Sequence, residues 1–212
     1  GLAARFALEA QRPADAFRLA REALTKHPAN ADVLTIAESA ATSQDVDELV
    51  ALYRTLAQAT LGRYGERAVH YRAARQLERR GHHDVALQHA VAAFEAVPGE
   101  GVAFVLMARL ADRAGDSDQV VGALERVASR TPDDGARVLW LARAAALADT
   151  SESGRRQRID VLLRAVAVRP DAPTLGTLAE AMRQLLEVCP DDAEVVHLRF
   201  ERALGVLLPK AG

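Results

Sequence analysis

A spacing of 34 residues constrains this chain more than any other feature. Gly81 and Gly115 stand 34 apart, and so do Pro98 and Pro132. Between these marks the apolar residues recur at helical intervals. In the stretch from Gly101 to Pro132, Phe104, Met107, Ala108 and Ala111 form one stripe by the i, i+3, i+4, i+7 rule. Gly115-Asp116 breaks the pattern, because glycine can end a helix in a left-handed conformation and aspartate can cap the next. Val120, Val121, Leu124, Val127 and Ala128 then form a second stripe, which Pro132 stops. Such a helical hairpin has two apolar faces and cannot bury both alone. It needs neighbours of the same kind.

The neighbours are in the sequence. The segment Arg67–Pro98 carries Ala73, Ala74, Leu77, Gly81, Ala86, Ala90, Ala93 and Pro98. Ala16, Ala20, Ala23 and Pro28 repeat the spacing of Ala86, Ala90, Ala93 and Pro98. With the second-helix start at 45–56, this pattern resembles the tetratricopeptide repeat (TPR), a 34-residue helix–turn–helix unit. The resemblance implies an all-α, right-handed superhelical solenoid across residues 1–212. Its repeats fall at about 1–28, 30–61, 67–98, 101–132 and 135–170, and a divergent helix pair closes it at 173–208. An array of this kind forms one continuous core in which each unit touches only its neighbours. Ala74, Ala108 and Ala142 are expected to hold the small-residue place where paired helices meet.

The joints are less uniform. Asp45 is expected to cap the helix that follows it, with Glu48 completing a capping-box-like pair. Residues 61–65 read as a long connection, and 149–154 as an exposed polar loop. Near the end, Pro190 stands where a Gly-Asp turn is expected, between helices at 174–188 and 192–207. The apolar residues of that pair would need a further helix or a partner. The chain starts Gly-Leu, without Met, and its first helix is short, which reads as a fragment of a longer protein.

Composition narrows the function classes. The 212 residues carry a net charge of −2, and aromatics make up 4%, so nothing favours a nucleic-acid surface. No apolar run approaches 18 residues, so no membrane insertion is expected. Cys189 is the single cysteine, which excludes a disulfide within the chain and fits a reducing, cytoplasmic setting. It reads as a small packing residue. No GxSxG, P-loop or GxGxxG motif occurs, and acids are scattered as turn caps. The chain therefore reads as non-catalytic and without cofactors. His82, His83 and His89 are the densest histidine group, but their spacing does not suit helical metal ligation. They read as turn and helix-surface residues, with no metal. His70 has no partner in sequence.

One constellation remains. Of 27 cations only Lys26 and Lys210 are lysine, and base composition can explain the bias. It does not select positions. Arg75, Arg109 and Arg143 are 34 residues apart in series. Arg5 holds the same place in the first unit, and Glu38 holds it in the second. Arg79 and Arg113 lie four residues on from the rungs, one turn along the same face. Tyr71, Val105 and Leu139 lie four residues before them. In TPR proteins the first helix of each unit lines a concave groove, so the resemblance implies that these eight residues face it. Two uses compete: arginines tying neighbouring first helices together through Glu78 and Asp112, or arginines forking onto the carboxylates of an acidic peptide or helix. Trp140 sits beside this face and reads as a packing residue. The expected function is a protein-interaction scaffold with a protein or peptide partner. The alternative is a regulatory or substrate-presenting arm of a larger enzyme.

Overall fold

The computed structural model describes residues 1–148 and 151–205. Among these, all regular structure is helical. Twelve α-helices follow in order: α1 (Leu2–Glu9), α2 (Pro13–Lys26), α3 (Ala31–Ala40), α4 (Val46–Ala59), α5 (Arg63–Arg79), α6 (His83–Ala96), α7 (Gly101–Ala114), α8 (Ser117–Arg130), α9 (Asp134–Leu147), α10 (Glu152–Val168), α11 (Ala172–Leu186) and α12 (Ala193–Gly205). They fall into two compact units, Gly1–Ala114 and Gly115–Gly212. The division lies at the turn between α7 and α8.

Within the first unit, α2 packs on α1 and α3, and α5 packs on α4 and α6, which also meets α7. Within the second, α9 lies against α8 and α10, and α10 lies against α11 and α12. This sequential packing is what the 34-residue pattern requires. The alanine spacing does its expected work: Ala16, Ala20, Ala86, Ala90 and Ala93 are all fully buried. They let helices approach closely, and Phe17, Leu24, Leu49, Tyr53, Leu56, Leu87 and Phe94 fill the space between.

Gly81 and Gly115 serve the same role at the same place. Both have positive φ, 82° and 67°, which glycine adopts without the Cβ clash that penalises other residues. Gln11 occupies the equivalent turn between α1 and α2, and it too has positive φ, 57°. That turn is therefore strained.

Several sequence expectations need correction. The α7 stripe is shifted from the one the spacing rule gave: Ala103, Leu106, Met107, Leu110 and Ala111 are buried, while Phe104 and Ala108 are only partly so. Ala142 is exposed, and Leu141, Ala144 and Ala145 form the buried face of α9. Ala74 alone of the three alanines is fully buried. A position shared by sequence does not fix how far a helix rotates toward its neighbour. The second stripe of the 101–132 hairpin is as expected, with Val120, Val121, Leu124, Val127 and Ala128 all buried.

The cap at Asp45 is built differently. Asp45 accepts from the backbone N–H and the hydroxyl of Thr42, both at 2.8 Å, around a 3₁₀ turn at Ser43–Asp45. Glu48 turns away to pair with Arg21 of α2. The connection before α5 is also shorter than expected, because α5 starts at Arg63 and extends over 17 residues. In the loop expected at 149–154, α10 already begins at Glu152, with Ser151 as its cap, and residues 149–150 lie outside the described residues. At the C-terminal end a short 3₁₀ turn, Pro190–Asp192, separates α11 from α12. Expectations for 206–208 fall outside the described residues. Val188, Val195 and Leu198 are exposed there, and an open cleft of about 230 Å³ is lined by Met182, Leu186, Val196 and Phe200. The apolar excess read from the sequence is thus real.

Candidate functional site: the arginine face

In the first unit the predicted rungs lie on α5 and α7. Tyr71, Arg75, Glu78 and Arg79 follow one another along α5 at i, i+4, i+7 and i+8, so they share a stripe. Glu78 joins that stripe to α7. Its Oε2 accepts from Arg109 Nη2 at 2.8 Å, and its Oε1 accepts from Arg113 Nη1 at 2.9 Å. Glu78 is 10% exposed, whereas Arg109 and Arg113 are 44% and 52% exposed. Each guanidinium spends one nitrogen on Glu78 and presents the rest to solvent. Val105, one turn back on α7, is exposed.

Arg75 and Arg79 behave differently. Neither has an ion pair or side-chain hydrogen bond among the described residues. Arg75 is half-buried and Arg79 exposed. Of these four arginines, only Arg109 and Arg113 are engaged by Glu78, and no ion pair to Asp112 is seen among the described residues. Arg5, on the equivalent position of α1, pairs with Glu9. In the second unit Arg143 lies with its guanidinium 4.9 Å from the centre of the half-buried Trp140 ring, a cation–π contact, and Leu139 beside it is exposed.

The sequence reading missed a second arginine cluster, centred on Glu38. This carboxylate is 5% exposed and lies between α3, α4 and α5. Arg72 grips it side-on, with Nε 2.7 Å from Oε1 and Nη2 2.8 Å from Oε2. The Tyr53 hydroxyl donates to Oε1 at 2.7 Å, and Gln76 donates to Oε2 at 3.1 Å. Arg80 donates to the backbone carbonyls of Glu38 and Ala41, so it covers the open C-terminal end of α3. Burial and the adjoining carboxylate push the Tyr53 phenol far above its usual range. The hydrogen bonds to Glu38 likewise raise Arg72. A signal was available: Glu38 is the one acid in the arginine rung, and Arg72 follows it by one repeat.

Similar pairs occur elsewhere. In the second unit Arg164 of α10 donates to Glu125 of α8 at 2.6 Å, and Arg199 of α12 donates to Asp160 of α10 at 2.6 Å. Both pairs span 39 residues. In each case, as at Glu38 and Glu78, the arginine comes from a later helix and the acid from an earlier one. Part of the arginine bias is thus used to tie helices together within each unit.

The histidines also need correction. His89 is 3% exposed, not a surface residue. Its Nδ1 lies 2.9 Å from Nδ1 of His70, which the sequence left without a partner. His82 and His83 take no part in that pair. Among the described residues no group of three His, Cys, Asp or Glu side chains could hold a metal ion. Nor is any described helix long and apolar enough to cross a membrane.

No protein-family model matches this chain, and no curated protein matches it.

Proposed function

We propose that the chain is a TPR-like repeat protein that acts without catalysis and binds an acidic peptide or helix on the α5–α7 face of its first unit. The observation that carries this reading is the state of Arg75 and Arg79. Many arginines of this protein are tied to an acid, yet among the described residues these two have none, on a stripe that also holds Tyr71. An acidic segment would supply the missing carboxylates. Arg75 and Arg79 offer forked donors that match a carboxylate. Arg109 and Arg113 are held in place by Glu78 and keep outward donors. Tyr71 and Val105 give apolar contact beside the charges. Leu139 and Arg143 would repeat the same chemistry in the second unit.

A peptide array tests the proposal. Acidic peptides should bind the native chain more tightly than neutral peptides of the same length, and salt should weaken that binding. The double variant R75E/R79E should lose the preference. R130E, on α8, should keep it. Equal binding of acidic and neutral peptides, or equal behaviour of the two variants, would overturn the assignment.

A further inference from the structure

The His70–His89 pair, half-buried His70 on buried His89, is a group of titratable side chains that the arginine face does not use. His70 comes from α5 and His89 from α6, so the contact joins the two helices of one hairpin. The rings lie 5.1 Å apart between centres, tilted by 42°. Their Nδ1 atoms are 2.9 Å apart, so a single proton must lie between them: one ring donates and the other accepts. On its far side, the Nε2 of His89 is buried without a partner. The edge of Tyr53 from α4 closes the pocket at 6.0 Å between centres.

We propose that this pair is an acid-operated latch that holds α5 against α6 at neutral pH and releases them when both imidazoles are protonated. One added proton can be accommodated. It goes to His70, the less buried ring, whose Nδ1–H then donates to His89. The second proton cannot. It would set two N–H groups face to face at under 3 Å. It would also place a positive charge on the buried His89 ring, whose Nε2 already has no partner.

The surroundings offer little relief. From α4, Arg54 adds positive charge beside both rings, and Tyr53 has its hydroxyl committed to Glu38. From α5, Glu66 is the acid that helps His70 hold a proton. The α7 arginines, Arg109 and Arg113, are turned onto Glu78, and α7 meets α6 through Phe104 on Phe94. Burial first, then His70 and Arg54, push His89 down to about 4. An unfolded histidine titrates near 6.5, so the open state takes up the proton that the closed state refuses. Stability from the latch is therefore complete above about pH 6.5 and declines as pH falls toward 4. For His89 alone the linkage amounts to roughly a 20-fold fall in the closing equilibrium between pH 7 and pH 5.

The latch stands apart from the peptide-binding reading, and its test needs no ligand. Amide hydrogen exchange is measured on the full chain at pH 7 and pH 5, corrected for the intrinsic effect of pH. Segments 63–79 and 83–96 should lose protection by about 20-fold at pH 5, while the helices of the second unit keep theirs. H89Q, which cannot take up the proton, should remove the pH dependence. Equal protection at the two pH values, or an H89Q variant as acid-sensitive as the native chain, would overturn the latch. If H89Q does not fold, a nuclear magnetic resonance titration of the native His89 ring decides instead. A midpoint well below the ordinary histidine range supports the latch, and one near 6.5 sinks it.

Discussion

Glu38 and Glu78 are held by the same device in two different settings. Each is an acid on one helix of the first unit, gripped by a pair of side chains four residues apart on a later helix: Arg72 and Gln76 for Glu38, Arg109 and Arg113 for Glu78. At Glu38 the grip is closed. Arg72 gives both nitrogens of one guanidinium edge, a phenol joins from a third helix, and Thr35 takes a further donor at 2.7 Å. At Glu78 the grip is open, with two guanidiniums each giving one nitrogen and facing water with the rest. Repeated spacing brings the same residue types together, and burial decides what they do. A closed cluster locks three helices, whereas an open one leaves donors over for something else.

The comparison can be broken by removing each carboxylate. The variant E38Q keeps the shape but leaves the Arg72 charge without its counter-ion in a largely enclosed site. It should destabilise the first unit by about 3 kcal/mol, measured by denaturant unfolding. A loss below about 1 kcal/mol would mean that the closed cluster is worth no more than a surface pair. Removing only the phenol, in Y53F, should cost about 1.5 kcal/mol, since the carboxylate keeps Arg72 and Gln76. A cost equal to that of E38Q would show that the hydroxyl, not the fork, holds the cluster. At the open site E78Q should cost only about 0.5–1 kcal/mol, because both guanidiniums can turn to solvent. Smallest of all, R75E/R79E should change the unfolding free energy by no more than about 0.5 kcal/mol, since neither residue is tied to a neighbour. A larger stability loss there would place those arginines among the structural ties and remove the basis for a binding face.

Much of the fold was readable from residue spacing, and less of the site. Gly81, Gly115, Pro98 and Pro132 mark turns and stops because backbone geometry leaves those residues few other uses. Buried alanines at 16, 20, 86, 90 and 93 follow from helical periodicity. The arginine rungs were placed on the right helices, and Glu78 was recognised as a neutraliser, but periodicity alone could not say which guanidiniums it would take. That depends on the rotation of α7 about its axis, which also left Ala108 half-covered, as the rotation of α9 left Ala142 exposed. His70 and His89 lie in different helices at no repeat-related spacing, so only the packing of α5 on α6 could bring them together. Thr42 took Asp45 because a 3₁₀ turn precedes α4, a local choice that apolar stripes do not report.

Gln11 has a consequence for anyone who treats these hairpins as interchangeable parts. A module whose turn carries Gly81 or Gly115 reverses direction with a residue suited to the left-handed region. A module taken from the start of the chain reverses at Gln11 and carries strain on the order of 1 kcal/mol wherever it is placed. That strain is a property of the part rather than of its neighbours. Grafting α1–α2 into another array would therefore transplant a weak joint, and a single glycine at position 11 would be the repair.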